Sequence, residues 1–198
     1  MTGRPRILCI SGSVRQASTN TALLQAIAAH CADLARFTFA RIGDLPIFNA
    51  DLEGDRTPEI VEQFARSVAE ADGLLFAVPE YAHGIPGGLK NALDWLVSRP
   101  EFPDKPTMMV HASTRSDHAR ASLGEVLRTM SGRLVSDDGL SLHLMGKSEG
   151  ELATLLASQE TRQQMRSTVQ MFVTEIERPE LLGLRARLAE CPLRSESD

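Results

Sequence analysis

Ile7-Leu8-Cys9-Ile10-Ser11-Gly12-Ser13 is the stretch that decides the fold of this chain. Its first four residues are all apolar, which is typical of a strand buried on both faces of a parallel sheet. The run ends in hydroxyl residues and a glycine, and an amphipathic helical pattern follows at Ala22, Leu23, Ala26, Ile27 and Cys31. A buried strand that turns directly into a helix begins a βαβ unit, so we expect an α/β protein.

The same alternation recurs along the rest of the chain. Apolar runs predict further strands at 37–42, 73–79, 106–112, 133–135 and 140–145. The last two are expected to form one strand that Asp137-Asp138-Gly139 splits, and a single helix is expected from about Ser148 to Ile176. Such alternation implies right-handed crossovers and a parallel sheet with helices on both faces. Ligands of these sheets bind beyond the carboxyl ends of the strands, which directs attention to the loops after the first, third and fourth strands.

Composition limits the possible partners and the compartment. The 198 residues carry a formal net charge of -5 at pH 7, with the basic residues scattered, so neither nucleic acid nor a membrane is expected as a partner. The three cysteines and five histidines show no metal-ligand spacing, which favours reduced buried thiols and no metal site. No apolar run approaches the roughly 20 residues that span a bilayer. Residues 1–6 lack the apolar stretch of a signal peptide, so we expect a cytoplasmic protein.

The loop from Ser11 to Asn20 carries the chemistry of an anion site. It is rich in short hydroxyl side chains and contains one arginine, Arg15. The free N–H groups and the dipole of a helix N-terminus attract a phosphate dianion, and hydroxyls add donors without bulk. Neither Gly-x-Gly-x-x-Gly nor Gly-Lys-Ser/Thr is present, so a dinucleotide fingerprint and a P-loop are not predicted. The alternative is a capped helix start without a ligand, because serine-rich turns are common.

The loop after the third strand reads Pro79-Glu80-Tyr81-Ala82-His83-Gly84-Ile85-Pro86-Gly87-Gly88. It places the only tyrosine of the chain at the mouth of a buried strand. Prolines and glycines keep the backbone thin and rigid, which suits the edge of a planar ring, while an aromatic side chain suits its face. An ordinary loop with a surface tyrosine is the alternative interpretation.

These two loops together resemble the NADPH-dependent FMN reductase family. The resemblance is carried by Ile10–Arg15 with Ser18 and Asn20, by Pro79-Glu80-Tyr81, and by Pro86–Trp95, and it extends over roughly residues 6 to 135. It implies a flavodoxin-like three-layer sandwich whose five-stranded parallel sheet has the order 2-1-3-4-5. From the pattern along the chain we expect residues 1–178 to form the FMN-binding domain and residues 179–198 to be a C-terminal tail, partly disordered.

The resemblance further implies a set of site residues. Those that would hold the FMN phosphate are Ser11, Ser13, Arg15, Ser18, Thr19 and Asn20. Those that would line the isoalloxazine ring are Pro79, Glu80, Tyr81, Ala82, His83 and Ser113. Tyr81 and Arg115 would meet the substrates, with a solvated loop arginine as the alternative role of Arg115. Lys90, Asn91, Asp94 and Trp95 would pack or contact a partner subunit. No catalytic side chain is expected, because the flavin carries the chemistry.

The chain departs from the family pattern near the ring. Ala82 stands where the family usually has Asn, and Gly84 where Ser is common. The loop after the fourth strand, which usually holds several glycines, is Ser113-Thr114-Arg115-Ser116-Asp117-His118. Its side chains would narrow the pocket or place a charge near the ring.

The function that the resemblance implies is FMN-dependent NAD(P)H oxidation. Electrons from NADPH or NADH would pass to a small acceptor (free flavin, quinone, azo compound or metal oxyanion) by a ping-pong mechanism, in a homodimer or homotetramer. A flavodoxin-like electron carrier is one alternative, although carriers are typically more acidic and flank the flavin with aromatic residues. A flavin-free binding or regulatory protein is the other, favoured by the altered loop at residues 113–118.

Overall fold

A single parallel sheet organises the structure, a computed structural model that describes residues 3–178. The strands are β1 (Arg6–Ser11), β2 (Arg36–Phe39), β3 (Gly73–Ala77), β4 (Pro106–His111) and β5 (Arg133–Ser141). All neighbours pair in parallel, in the order β2-β1-β3-β4-β5. This confirms the predicted sheet and places the reversal of strand order at β1 and β3, where such folds bind their ligands.

Helices cover both faces of the sheet. They are α1 (Thr19–His30), α2 (Glu59–Glu70), α3 (Gly87–Asp94), α4 (Asp117–Thr129), α5 (Glu149–Ala157) and α6 (Gln159–Ile176). Short 3-10 helices at Ile42–Asp44, Ala50–Leu52 and Gly54–Arg56 connect β2 to α2. None of the helices within residues 3–178 is long and apolar enough to cross a membrane.

The apolar runs of the strands fill two separate cores. Leu8 and Ile10 of β1 pack into the core shared with α2, α3 and α4, whereas Ile7 and Cys9 pack into the core shared with α1, α5 and α6. The same alternation runs along β3, where Leu74 and Leu75 lie on opposite faces. Successive side chains of a strand point to opposite faces, so a strand apolar at every position requires cover on both sides. The three-layer sandwich is therefore confirmed.

Two helices replace the single long helix expected after Ser148. Ser158 has an extended backbone (φ -63°, ψ 149°), and its Oγ accepts a hydrogen bond of 3.3 Å from the N–H of Thr161. An N-cap serine of this kind starts a new helix, so the chain changes direction between α5 and α6. The strand expected at residues 37–42 is also shorter, because β2 ends at Phe39 and Ile42 turns into the core within a 3-10 helix.

The acidic Asp137-Asp138-Gly139 segment is a bulge within β5 and does not split the strand. Met108 pairs with Ser136 and Val110 pairs with Leu140, so residues 137–139 lie opposite the one residue between them on β4. A Cβ on Gly139 would lie 2.9 Å from the Met108 Sδ, which explains the glycine at this close approach. The tail predicted at residues 179–198 lies outside the described residues.

Candidate functional site

One open cleft of about 450 Å³ lies at the carboxyl edge of the sheet, bordered by the loops after β1, β3, β4 and β5. This volume falls within the range of about 300–1,000 Å³ that is typical of small-molecule sites. The cleft brings together most of the predicted residues, namely Ser13, Arg15, Ser18, Thr19, Asn20, Pro79, Glu80, Tyr81, Ser113 and Arg115.

The N-terminus of α1 borders this cleft at the end where the sequence predicts a phosphate, called the phosphate end below. The Ser18 hydroxyl accepts a hydrogen bond of 3.3 Å from the Thr21 N–H, which leaves the first amides of the helix, those of Thr19 and Asn20, without an intrahelical partner. The first turn of α1 contains no acidic residue, whereas α2, α4, α5 and α6 each have at least one there. The dipole of α1 is therefore not neutralised within the helix and remains available to an external anion.

Asn20 supplies a test of whether a flavin nucleotide fits. Its side chain is only 5% exposed, and its Oδ1 accepts no hydrogen bond from residues 3–178. A buried polar atom without a partner costs about 1–3 kcal/mol. Because Asn20 borders the cleft, a ligand hydroxyl can satisfy it, and the ribityl chain of FMN carries several. The residues present therefore fit FMN.

Positive charge dominates the cleft although the chain as a whole is acidic. Arg15, Arg115 and Lys147 border it, and none of them forms an ion pair with a carboxylate of residues 3–178. Glu80 is the one acidic residue on the described border of the cleft. Unpaired cations beside a free helix N-terminus favour a ligand with a phosphate group.

Ser11 does not border the cleft and shapes the loop from within. Its Oγ accepts a hydrogen bond of 2.8 Å from the Thr21 hydroxyl and donates one of 3.3 Å to the Ser13 carbonyl. The loop is tight at the next residue, where a Cβ on Gly12 would lie 3.2 Å from the Leu89 side chain. Ser11 therefore links β1 to α1 and stabilises the conformation of the loop from Ser11 to Asn20.

A two-residue turn lies beside the cleft where the sequence predicts the flavin ring, and this side is called the ring end below. The N–H and carbonyl groups of Tyr81 and Gly84 pair with each other at 3.0 Å. Between them, Ala82 and His83 both adopt left-handed backbone conformations, with φ of 48° and 58°. Two positive φ values are the signature of a type I′ hairpin turn. Tyr81 borders the cleft and is 50% exposed, whereas Ala82 and His83 do not border it.

Two long-range contacts tie this turn to the start of α4. The Glu80 Oε2 accepts a hydrogen bond of 3.0 Å from the Ala119 N–H in the first turn of α4. Ser116, the N-cap residue, makes no side-chain cap, so Glu80 performs that role from another loop. The His83 ring stacks on the His118 ring, with centroids 4.3 Å apart. The loops after β3 and β4 are thus joined.

The sequence did not predict that the loop after β5 would reach the cleft. Met145, Gly146 and Lys147 border it, and the Met145 Sδ lies 3.9 Å from the Thr19 hydroxyl. Ligands of such sheets bind beyond the carboxyl ends of the strands, so any loop after a strand is a candidate. The loop after β5 contains no motif that would have singled it out from the sequence. The other unpredicted residues on the border are Ala17, Val78, Ala112 and Ser116.

Residues of α3 pack beside the site without bordering the cleft. The Asn91 Oδ1 accepts a hydrogen bond of 2.7 Å from the Phe48 N–H, and the Trp95 Nε1 donates one of 2.8 Å to the Pro46 carbonyl. Lys90 pairs with Asp94 on the same helix. Within residues 3–178 no group of three His, Cys, Asp or Glu side chains is placed to hold a metal ion.

The sheet order, the switch-point cleft and its charge define a flavodoxin-like nucleotide-binding protein. The model of one such family, described as NADPH-dependent FMN reductase, matches residues 5–145. The match covers well over half of the chain, and the protein belongs to this family.

Known relatives include a quinone reductase and a flavoenzyme. A 2-hydroxy-1,4-benzoquinone reductase from a Burkholderia species is 43% identical over 95 residues, which are 48% of this chain and 51% of that protein. The NADH:(hydroxy)cinnamate reductase subunit CrdA from Vibrio ruber is 34% identical over 148 residues, 72% of this chain and 71% of that protein. The structure of FerB, a flavoenzyme NAD(P)H:(acceptor) oxidoreductase from Paracoccus denitrificans, has a TM-score of 0.70 and 26% identity, covering 87% of this chain and 97% of FerB. The chain thus spans about half the length of the first relative and more than two thirds of the other two.

Proposed function

We propose that this protein is an FMN-dependent oxidoreductase that takes electrons from NADPH or NADH and passes them to a small acceptor such as a quinone or free flavin. One observation carries the proposal: a single cleft joins an anion-binding helix end to a rigid turn bearing an exposed tyrosine. Membership of the FMN reductase family and the likeness to FerB support it.

The residues of the cleft have separable tasks in this proposal. Arg15, the Ser13 hydroxyl and the first amides of α1 would hold the phosphate, and Asn20 would accept a ribityl hydroxyl. Pro79 and Tyr81 would exclude water from the ring, and Ser113 would border its other side. When bound, FMN supplies the hydride chemistry, so no side chain is needed as acid or base.

The two substrates are expected to share one opening. If both the nicotinamide and the acceptor reach the flavin through this cleft, they would enter in turn, which is the basis of a ping-pong mechanism. Arg115 borders the opening without an ion pair and would bind the phosphate of the nucleotide or an anionic acceptor. Initial rates at several acceptor concentrations test this point, since parallel lines in a double-reciprocal plot are expected and intersecting lines would contradict it.

A titration with FMN followed by an activity assay tests the proposal as a whole. Purified protein should show a flavin absorption band, alone or after FMN is added, and should then oxidise NADPH or NADH when a benzoquinone is present. A protein that takes up no FMN would be the flavin-free binding protein. A protein that binds FMN but does not oxidise either nucleotide would be the electron carrier.

We also propose that the protein is a cytoplasmic homodimer or homotetramer whose FMN-binding domain comprises residues 1–178. Cys9 and Cys31 are free buried thiols, in keeping with a reducing compartment. A second open groove is bordered by Val14 and Ile47, which are 65% and 87% exposed. Such patches commonly mark protein interfaces. Sedimentation should show a dimer or larger species that Ile47→Asp weakens, and a monomeric wild-type protein would refute the assembly.

A further inference from the structure

We propose that Lys147 is a second cationic ligand of the FMN phosphate, supplied by the loop after β5. The inference rests on the proposed function, because it concerns the same cofactor. The residues by which the chain resembles its family lie in the loops after β1 and β3 and on α3, so they do not include this lysine. Its assignment comes from the structure alone.

The path of the loop places Lys147 at the phosphate end of the cleft. The Met145 Sδ contacts the hydroxyl of Thr19, the first residue of α1, at 3.9 Å. Gly146 then takes a left-handed conformation with φ of 76°, which lets the chain turn sharply before Lys147. Lys147 borders the same cleft as Arg15 and Ser18. Arg115 lies instead in the loop between β4 and α4. The hydrogen bond between Glu80 and the Ala119 N–H joins the start of α4 to the loop after β3.

The ammonium group of Lys147 is available to a ligand. Lys147 acts electrostatically on Glu151, whose Oε2 accepts hydrogen bonds from the N–H and Oγ of Ser148 at 2.8 and 2.7 Å. Both bonds lower the pKa of Glu151, and the first of them, with the 3.4 Å bond that the Glu151 N–H donates to the Ser148 Oγ, forms the capping box of α5. Lys147 itself is exposed and makes no ion pair within the described part of the chain.

The charge of the ligand would attract Lys147. A phosphate monoester carries a charge of about -1.5 to -2 at pH 7. Arg15 supplies one positive charge, and the helix end contributes roughly half of one. Together these offset about 1.5 charges, so Lys147 would give the site more positive charge than the phosphate carries and would strengthen its attraction for the dianion.

Comparison of FMN with riboflavin tests this inference, because riboflavin lacks the phosphate. We would measure both dissociation constants by flavin fluorescence for the wild type, Lys147→Gln, Lys147→Arg and Arg56→Gln. Arg56 is exposed, forms no ion pair with any residue between 3 and 178, and does not border the cleft, so it controls for the change in net charge. Lys147→Gln should weaken FMN about tenfold and leave riboflavin unchanged, while Lys147→Arg should restore most of the affinity.

Other outcomes would overturn the inference in distinguishable ways. Equal weakening of FMN and riboflavin would mean that Lys147 only shapes the loop. Unchanged FMN affinity with a raised KM for NADPH would assign Lys147 to the electron donor. If Arg15→Ala weakens FMN and Lys147→Gln does not, the proposed function stands and this inference fails. If the wild type binds no FMN, both fail.

Discussion

The two ends of the cleft are built in different ways. At the phosphate end, the segment Ser11–Asn20 contains most of the residues proposed to hold the phosphate, and its side-chain hydrogen bonds are mostly local, such as the one that the Thr21 N–H donates to the Ser18 Oγ. At the ring end, the turn at Tyr81–Gly84 depends on α4, about 35 residues further along the chain, through Glu80 and His83. We therefore expect a substitution in α4 to disturb the turn at Tyr81–Gly84 more than the loop from Ser11 to Asn20.

The left-handed residues sharpen this contrast. Ala82 and His83 have positive φ, whereas no residue of the loop from Ser11 to Asn20 does. Alanine in a left-handed conformation costs about 1–2 kcal/mol relative to the ordinary helical region. The ring end therefore contains backbone strain that its contacts with α4 offset, and the phosphate end contains none. Substitutions at the two ends should accordingly change different properties.

The largest effect is expected at the phosphate end. The double variant Arg15→Ala, Ser18→Ala removes a charge and a hydroxyl from the anion site, and charge-assisted hydrogen bonds contribute about 1.5–3 kcal/mol each. We expect the FMN affinity to fall by about 3–5 kcal/mol and the riboflavin affinity to change far less. Ser18 also caps α1, so thermal unfolding should be measured alongside. An unchanged dissociation constant for FMN would contradict the assignment.

Glu80→Ala should damage the ring end by a smaller amount. The variant loses the acceptor for the Ala119 N–H, and removal of an N-terminal cap costs about 0.5–2 kcal/mol of stability. Because the ring is common to both flavins, FMN and riboflavin should weaken equally, which is the opposite of the result at the phosphate end. Urea unfolding and flavin titration measure both effects. Glu80→Gln keeps an acceptor oxygen and serves as the control. If Glu80→Gln loses as much stability and flavin affinity as Glu80→Ala, loss of the hydrogen bond to the Ala119 N–H does not explain the effect.

Ala82→Asn should stabilise the protein slightly. Asparagine tolerates the left-handed region better than alanine, so the variant should gain about 0.5 kcal/mol in the free energy of unfolding. Ala82→Val is the matched control and should destabilise, because a β-branched side chain is strongly disfavoured at positive φ. Melting temperatures that change in the same direction for both variants would argue against strain at this position.

The smallest effect is expected in the pH dependence of stability. His111 is fully buried at the end of β4, and its Nε2–H donates a hydrogen bond of 2.8 Å to the Asp137 carbonyl in the β5 bulge. Burial lowers the pKa of His111, and the Arg120 charge acts in the same direction. Below a pH of about 6.5 the imidazole of His111 binds a proton in the unfolded chain but stays neutral in the folded protein. The free energy of unfolding should therefore decrease as the pH falls from about 6.5 toward the lower pKa of the folded state.

His111→Gln provides the measurement for this prediction. Glutamine can still donate a hydrogen bond to the Asp137 carbonyl but does not titrate. The stability of the variant should therefore vary less than that of the wild type between about pH 7 and pH 5, a range that spans the ordinary histidine pKa of about 6.5. Parallel pH profiles for the two proteins would show that other groups dominate.

Much of the fold could be predicted because the signal lay in local runs of residues. The unbroken apolar stretches at Ile7–Ile10 and Gly73–Ala77 indicated strands covered on both faces, and the two cores confirm it. The break at Ser158 and the bulge at residues 137–139 were missed. A helix break depends on one cap hydrogen bond, and the bulge depends on how β5 pairs with β4 and on His111 beneath it.

In the candidate site, too, residues within one segment could be predicted and the directions of their side chains could not. Arg15, Ser18 and Asn20 were predicted from one segment and lie together on the cleft border. Ser11 was predicted beside them but forms hydrogen bonds within the loop, because the direction of a side chain depends on neighbours such as Thr21. The resemblance placed Ala82 and His83 at the ring, and the left-handed turn leaves both off the border of the cleft.

By itself, the sequence determined the α/β class, the alternation of strands and helices, and the hydroxyl-rich loop with Arg15 after β1. These follow from periodicity and from the residue types of short segments, which act over a few neighbouring positions. Only the tertiary structure decided that Lys147 reaches the cleft, that Glu80 caps α4 and that His83 stacks on His118. Those contacts join residues far apart in the chain, and their geometry exists only once the strands have paired and the loops meet at one edge of the sheet.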